Sequence, residues 1–195
     1  MSAARLALAS ASPRRLQLLA QIGVAPDAVL PAEIDEAPQP KEAPARYVER
    51  LALAKAAALV GWDGLRLGAD TAVAVGRRIL PKAESLQEAE ACLSLLSGRA
   101  HRVYTAVAVS DGLAARSRLV ETRVWFKRLS REELQAYLAG EEWRGKAGGY
   151  AIQGRAGRFV TRIAGSYSAV VGLPLYEAAC LLQSFGYSIE VPLPP

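Results

Sequence analysis

Short apolar runs and the polar breaks between them divide the first 25 residues into a strand and a helix. The run Leu6–Leu8 predicts a buried strand, because it is short, continuous and followed by small residues. A helix is expected to begin after it, with Ser12 as its N-cap and Pro13 at its first position. The residues expected on its inward face are Leu16, Leu19 and Ala20. Gly23 is expected to end it.

The rest of the chain alternates helical and extended patterns in a mixed order. Residues 24–44 hold five prolines and predict an irregular stretch. Capping boxes at 85–88 and 130–133 predict helix starts, and Asp111-Gly112 is typical of a hairpin turn. The expected helices are 45–60, 85–97, 130–140 and a last one from Pro174 to about Phe185; the expected strands are 65–75, 99–109, 116–127, 159–163 and 187–191. This order predicts a single α/β domain, residues 1–195, with a mixed sheet and flanking helices.

Composition narrows the class of protein. Hydrophobic residues make up 51% of the chain and charged residues 22%, which suits a globular protein with a core. No apolar run approaches the roughly 20 residues of a membrane-spanning helix. The N-terminal residues lack a signal-peptide pattern because Arg5 interrupts their apolar segment. We therefore expect a cytoplasmic protein with no membrane partner.

The number of histidines and cysteines and the net charge limit the possible ligands. One histidine and two cysteines exclude a zinc cluster, so any metal must be a hard cation with oxygen ligands. The net charge of +5 favours an anionic partner. The charge is spread along the chain, without a basic stripe interleaved with aromatic residues. A nucleic-acid partner is therefore not expected.

The segment from Ser10 to Arg15 has the features of a phosphate site. A strand, a loop of small residues and a helix N-terminus follow one another, and free N–H groups at such a terminus bind anions. Arg14 and Arg15 add two guanidinium groups that can bind phosphate oxygens. The alternative is that both arginines are ordinary solvated charges.

Three further positions carry candidate chemistry. Asp70 interrupts the apolar strand 65–75, where a carboxylate is costly unless it is paired or binds a cation. Lys55 lies in an alanine-rich helix and either extends to solvent or meets a ligand. The acidic cluster 33–36 is either a solvated loop or a set of carboxylates that face the arginines and hold a divalent ion.

Five segments resemble the Maf family of nucleoside triphosphate pyrophosphatases. They are SASPRR (10–15), GADT (68–71), LSGRAHRVYTAVAV (96–109), KAGGYAIQG (146–154) and GSYSAVVGLP (165–174). Their order is the family's, and the likeness covers nearly the whole chain. The YAIQG form, with Gln153, resembles the branch that acts on dTTP and UTP.

The resemblance implies a fold, a reaction and a cofactor. The implied fold is a mixed α/β structure with two lobes around a deep groove, related to the inosine triphosphate pyrophosphatases. The implied reaction converts a nucleoside triphosphate to the monophosphate and pyrophosphate. It also implies a divalent metal cation, Mg²⁺ or Mn²⁺, and a homodimer.

Residue by residue, the resemblance assigns the following roles. The substrate-binding residues are Ser10, Arg14, Arg15, Lys55, Thr71 and Gln153; of these, Arg14, Thr71 and Gln153 concern base choice. The catalytic residues are Asp70, Lys82, Arg15 and Lys55, and the metal ligands are Glu33 and Asp70. We assign His101 a structural role, with its ring bonded to the loop near Thr105.

The chain departs from the family pattern at three places. Pro81-Lys82-Ala83 replaces the family's Gly-Lys-Pro, Gly145 stands where Asp is common, and Ala169 stands where Asn is common. None of these removes a phosphate or metal group. Alternatives remain open: a pyrophosphatase for 7-methyl-GTP or for a broad range of nucleotides, or a nucleotide-binding regulator of septum formation.

Overall fold

The computed structural model describes residues 4–189 and has a mixed sheet at its centre. Its strands are β1 (Leu6–Leu8), β2 (Ala28–Val29), β3 (Leu65–Val75), β4 (Arg78–Leu80), β6 (Ala100–Ser110), β7 (Ala115–Phe126) and β9 (Val160–Ala164). A separate two-stranded ribbon pairs β5 (Lys82–Ala83) with β8 (Lys146–Ala147). The helices are α1 (Pro13–Gln21), α2 (Pro44–Ala57), α3 (Leu86–Leu96), α4 (Arg131–Ala139), α5 (Tyr167–Val171) and α6 (Leu175–Ser184), with a 3-10 helix at Arg155–Phe159.

The sheet order is β2-β1-β3-β6-β7-β9, and β4 folds back onto β3. β1 is parallel to β2 and β3, whereas β3, β6, β7 and β9 form antiparallel neighbours. The expected mixed α/β class is therefore confirmed. No helix within residues 4–189 is long and apolar enough to cross a membrane.

One edge of β3 is open at its middle. β1 pairs with β3 only as far as Leu67, and β4 begins to pair at Val73. Within the described residues, positions 68–72 therefore have no strand neighbour on this side. Successive strand residues point to opposite faces, so side chains from both faces of β3 border this gap.

Two hydrophobic cores share one face of the long strands and lie at opposite ends of them. One contains Leu67, Val107 and helices α1 and α6; the other contains Val73, Val103 and helices α3 and α4. Between them, on the same face, lie Thr71 and Thr105. Helix α2 covers the opposite face through alanines of β3 and β6.

Glycine at position 68 lets α2 approach β3 closely. A Cβ atom there would lie 2.3 Å from the Ala52 carbonyl oxygen and 2.6 Å from the Ala56 nitrogen, distances that backbone atoms do not tolerate. The absent side chain therefore brings the buried face of α2, including Lys55, directly over the strand that carries Asp70.

Local sequence signals predicted most element starts correctly. Strands Leu6–Leu8 and Leu65–Val75 are confirmed, and Ser85 and Ser130 both form complete capping boxes. Ser12 stands at the N-cap of α1, although its side chain makes no cap hydrogen bond. The expected inward face of α1 was partly wrong: Leu18 and Leu19 are buried, whereas Leu16 is 39% exposed and Ala20 also faces solvent.

The expected strand over 187–191 is not found where the structure describes it. Residues 187–189 have no regular structure, and 190 and 191 lie outside the described residues. The short strands β2, β4, β5 and β8 and the helix α5 were not expected. Within β4, Leu80 pairs with Val73 of β3.

Candidate active site

A groove runs past the open edge of β3 between the two cores. It gathers segments that are far apart in the sequence. Its lining residues include 9–15, Glu36, Lys55, Asp70, Thr71, Lys82, 145–147, 150–153 and 170–172. All predicted site residues except Glu33 line this groove.

A chain of alternating charges crosses the groove. Lys55 Nζ lies 2.6 Å from Asp70 Oδ1 and 2.6 Å from Glu36 Oε1. The second oxygen of Glu36 accepts a hydrogen bond from Lys82. Asp70 and Lys55 are only 2% and 6% exposed, so each compensates the other's charge away from water. This arrangement contradicts the alternative in which Lys55 extends to solvent.

Glu36 is held as an anion by its two lysines. Partial burial raises the pKa of this carboxyl, but hydrogen bonds from Lys55 and Lys82 outweigh burial and lower the pKa to about 2. Glu36 therefore stays charged at any pH near neutrality. It links α2 to the ribbon β5–β8 on the other side of the groove.

The structure places Glu36, not Glu33, in the groove. The side chain of Glu33 is exposed and lies away from the groove lining. The sequence offered three acidic residues between 33 and 36, and no periodic pattern in this irregular stretch distinguishes them. The assignment of Glu33 as a metal ligand therefore has no geometric support, and Glu36 takes its place as the candidate.

Ser10 and Arg15 form a fixed pair at the start of α1. Arg15 donates from Nε to the Gly172 carbonyl oxygen at 2.9 Å and from a terminal nitrogen to Ser10 Oγ at 2.9 Å. Burial lowers the pKa of the Arg15 guanidinium, and Asp70 partly opposes this shift. These contacts contradict the alternative in which Arg15 is an ordinary solvated charge. Arg14 lies beside it on the groove wall, where burial also lowers its pKa.

The opposite wall contributes Lys146, Tyr150 and Gln153. Lys146 donates to the Arg144 carbonyl oxygen at 2.9 Å. Burial, then the neighbouring charge of Arg14, lowers the pKa of Lys146. Lys146 and Tyr150 were not among the predicted site residues, although both lie in the glycine-containing segment 146–154.

Thr71 lies on the face of β3 opposite to Asp70. Asp70 points towards α2, where it meets Lys55. Thr71 points towards α5, where its Oγ1 lies 3.1 Å from Thr105 Oγ1. Because the edge of β3 is open here, both side chains line the same groove.

His101 is buried behind the wall and does not contact the loop near Thr105. Its Nε2 lies 2.8 Å from the hydroxyl oxygen of Tyr150, and its ring packs edge-on against Phe126. Burial lowers the pKa of His101 to about 4. The proposed partner was therefore wrong, although burial in the core agrees with a structural role.

The carboxylates of the groove fit a hard divalent cation. Within residues 4–189 no group of three or more His, Cys, Asp or Glu side chains could hold a metal by itself. Asp70 Oδ2 is buried and has no hydrogen-bond partner within that range, and Glu36 lies one lysine away. A cation such as Mg²⁺ commonly binds one or two carboxylates and completes its shell with water and substrate phosphates.

Comparisons with known proteins identify a matching family and several similar proteins. A family model described as Maf-like protein matches residues 5–185. The chain is 56% identical over 195 residues to a dTTP/UTP pyrophosphatase of Mesorhizobium japonicum, covering 95% of this chain and 94% of that protein. It is 58% identical to the dTTP/UTP pyrophosphatase of Rhodopseudomonas palustris strain HaA2, with the same coverage. A solved HAM1 protein from Coxiella burnetii aligns with 66% of this chain and 75% of its own, at 14% identity and a TM-score of 0.46.

Proposed function

The chain belongs to the Maf family, and from this premise we propose that it is a nucleoside triphosphate pyrophosphatase acting on dTTP and UTP. The products are the nucleoside monophosphate and pyrophosphate. Its relatives at 56–58% identity carry the name dTTP/UTP pyrophosphatase. Such close similarity over 95% of the chain supports the same reaction here.

The charge of the groove is the observation that carries the proposal. Its cations are Arg14, Arg15, Lys55, Lys82 and Lys146, and its carboxylates are Glu36 and Asp70. The carboxylates already engage Lys55 and Lys82. Two arginines and a third lysine therefore remain for an anionic ligand, which suits a triphosphate.

In this proposal Asp70 acts on the attacking water. Lys55 holds one carboxylate oxygen at 2.6 Å, which leaves Oδ2 without a partner in the described residues. That oxygen can orient a water molecule for attack on the α-phosphate and accept its proton. Lys55 keeps the Asp70 carboxylate in one orientation during the reaction.

The cations stabilise charge that develops during the attack. Arg15 is fixed by two hydrogen bonds, so it needs little reorganisation to bind a phosphate oxygen. Lys82 lies across the groove and can meet the departing pyrophosphate. Asp70 and Glu36 would hold the divalent cation, Mg²⁺ or Mn²⁺, which when bound supplies further neutralisation of the phosphate oxygens.

Side chains on the groove walls determine which base is accepted. Gln153 offers an amide and a carbonyl side by side, which can pair with the imide edge of uracil or thymine. Arg14 and Thr71 line the same groove from the other side. A base that covers these groups without pairing them is rejected, because a polar group taken out of water without a partner is costly.

One assay tests the proposal. The purified protein is incubated with Mg²⁺ and a panel of triphosphates, and pyrophosphate release is measured. We expect preference for dTTP and UTP, and a loss of at least about 100-fold in kcat for Asp70→Asn, because the water loses its proton acceptor. Glu33→Gln and Glu36→Gln form a matched pair: the first is expected to keep activity and the second to lose most of it.

Other outcomes favour the alternatives. Release from 7-methyl-GTP in preference to dTTP would move the chain to the other branch. Tight nucleotide binding without any release would favour the regulator of septum formation. Preserved activity in Asp70→Asn would reject the proposed role of this carboxylate.

The remaining expectations rest on the sequence pattern and on the resemblance. A homodimer, a cytoplasmic location and a link to septum formation are part of the proposal, as is the absence of a nucleic-acid partner. Light scattering on the purified protein tests the dimer. A binding titration with single-stranded DNA at low salt tests the last point.

A further inference from the structure

Thr105 is a polar side chain that the proposed mechanism does not use. It is 0% exposed and lies directly opposite Thr71 in the ladder between β3 and β6. Its Oγ1 is 2.7 Å from the Ala169 carbonyl oxygen of α5 and 3.1 Å from Thr71 Oγ1. Thr105 therefore joins a groove-lining hydroxyl to a fixed backbone oxygen behind the wall.

The number of hydroxyl hydrogens decides which atom is the donor in each of these hydrogen bonds. By its angles the Thr105 hydroxyl is oriented to donate to either oxygen, but a hydroxyl carries one hydrogen, and a carbonyl oxygen can only accept. The hydrogen of Thr105 therefore goes to Ala169, which is also the shorter contact. The bond between the two threonines then uses the hydrogen of Thr71, and Thr71 presents only oxygen lone pairs to the groove.

We propose that Thr105 is a positioning residue that fixes the Thr71 hydroxyl as a hydrogen-bond acceptor, so that Thr71 selects nucleosides with a donor at this contact. The inference rests on the proposed function, because it takes the ligand to be a nucleoside triphosphate. The donor is either the ring N–H of uracil or thymine or a hydroxyl of the sugar. Cytosine has an unprotonated ring nitrogen where uracil has its N–H, so the lone pair of that nitrogen would face the lone pairs of the Thr71 hydroxyl oxygen.

Thr122 provides a matched control. It is also a 0% exposed threonine on a long strand, and its Oγ1 accepts from the Ser166 nitrogen at 3.0 Å. It therefore ties down the same segment that contains α5, but it does not line the groove. Substituting either threonine by valine keeps the branched shape and removes the hydroxyl.

The experiment measures kcat/KM for UTP and CTP with the wild type, Thr105→Val, Thr105→Ser and Thr122→Val. Removing the Thr105 hydroxyl frees the hydrogen of Thr71, which can then donate to the cytosine ring nitrogen. We expect Thr105→Val to reduce the preference for UTP over CTP about tenfold, the size of one hydrogen bond gained or lost. Thr105→Ser and Thr122→Val are expected to keep the wild-type ratio.

A second substrate pair identifies the donor. If the sugar hydroxyl is the group recognised, the preference for dTTP over 2′,3′-dideoxy-TTP falls in Thr105→Val and the UTP/CTP ratio does not. A change in either ratio supports the inference. Unchanged ratios in Thr105→Val, or an equal change in Thr122→Val, would overturn it.

Binding measurements separate this inference from the proposed function. Dissociation constants for the non-hydrolysable α,β-imido analogues of the same nucleotides give the ratios without turnover. A wild-type protein that binds these analogues but releases no pyrophosphate would refute the function, while its Kd ratios still test Thr105. No binding of any analogue by the wild type would overturn both.

Discussion

Acidification from pH 7 to pH 5 should destabilise this protein through one side chain. His101 is the single histidine of the chain and is 2% exposed. Its Nε2 meets the Tyr150 hydroxyl, and its Nδ1 is buried with no partner in the described residues. A second proton would therefore put an uncompensated charge among aromatic rings, which is why burial lowers the pKa of His101 from 6.5 to about 4.

The sign of the effect follows from proton uptake. Below pH 6.5 the unfolded chain binds a proton at His101, whereas the folded protein binds it only near pH 4. The free energy of unfolding is therefore unaffected above this window and falls as the pH drops through it. One pKa unit corresponds to about 1.4 kcal/mol, so the loss is about 2 kcal/mol at pH 5 and about 3 kcal/mol below pH 4.

Urea unfolding followed by tryptophan fluorescence at pH 7 and pH 5 measures this loss. His101→Gln is the reference, because glutamine can still bond to the Tyr150 hydroxyl but does not titrate. The wild type should lose about 2 kcal/mol more than the variant between the two pH values, or about 4–8 °C in Tm for a domain of this size. Glu36, with a pKa of about 2, does not titrate in this window. Equal losses in the two proteins would refute the reasoning.

Two further predictions concern the packing of α2 on β3. Lys55→Met should lower the free energy of unfolding by about 3–5 kcal/mol, because the buried Asp70 carboxylate loses its cation, whereas Glu36 keeps Lys82. Adding Asp70→Asn should recover part of this loss, and a Lys55→Met variant as stable as the wild type would contradict the ion-pair account. Gly68→Ala should lower the free energy of unfolding in urea by more than about 2 kcal/mol, because its Cβ would lie 2.3 Å from the Ala52 carbonyl oxygen. A variant as stable as the wild type would show that α2 moves aside freely.

Local patterns predicted the framework of this fold better than its connections. The apolar run 65–75 and the two capping boxes depend on neighbouring residues, and they were correct. The two-residue strands β2 and β5 are too short to show a period and were missed. In α1, closely spaced leucines allowed more than one inward face, and tertiary packing chose Leu18 over Leu16.

The residues of the candidate site were also predicted only in part. The resemblance and the buried position of Asp70 pointed to residues that the fold brings together. Glu36 was missed because an irregular, proline-rich stretch gives no pattern that separates it from Glu33. The partner of His101 was missed because Tyr150 lies 49 residues away, and no local signal reports such a contact.

The residues that line the groove come from both sides of the hairpin between β6 and β7 in the sequence. Its tip, at Asp111–Ala114, is remote from the groove lining, and Leu113 is 99% exposed. Residues before the tip supply the arginine pair and the charge chain, and residues after it supply the wall with Gln153. We expect a cut here to leave two inactive fragments. Their eleven paired positions, from Ala100 opposite Trp125 to Ser110 opposite Ala115, should favour reassembly. The same turn is thus a natural place to build a complementation reporter, in which pyrophosphate release signals that two fused partners have met.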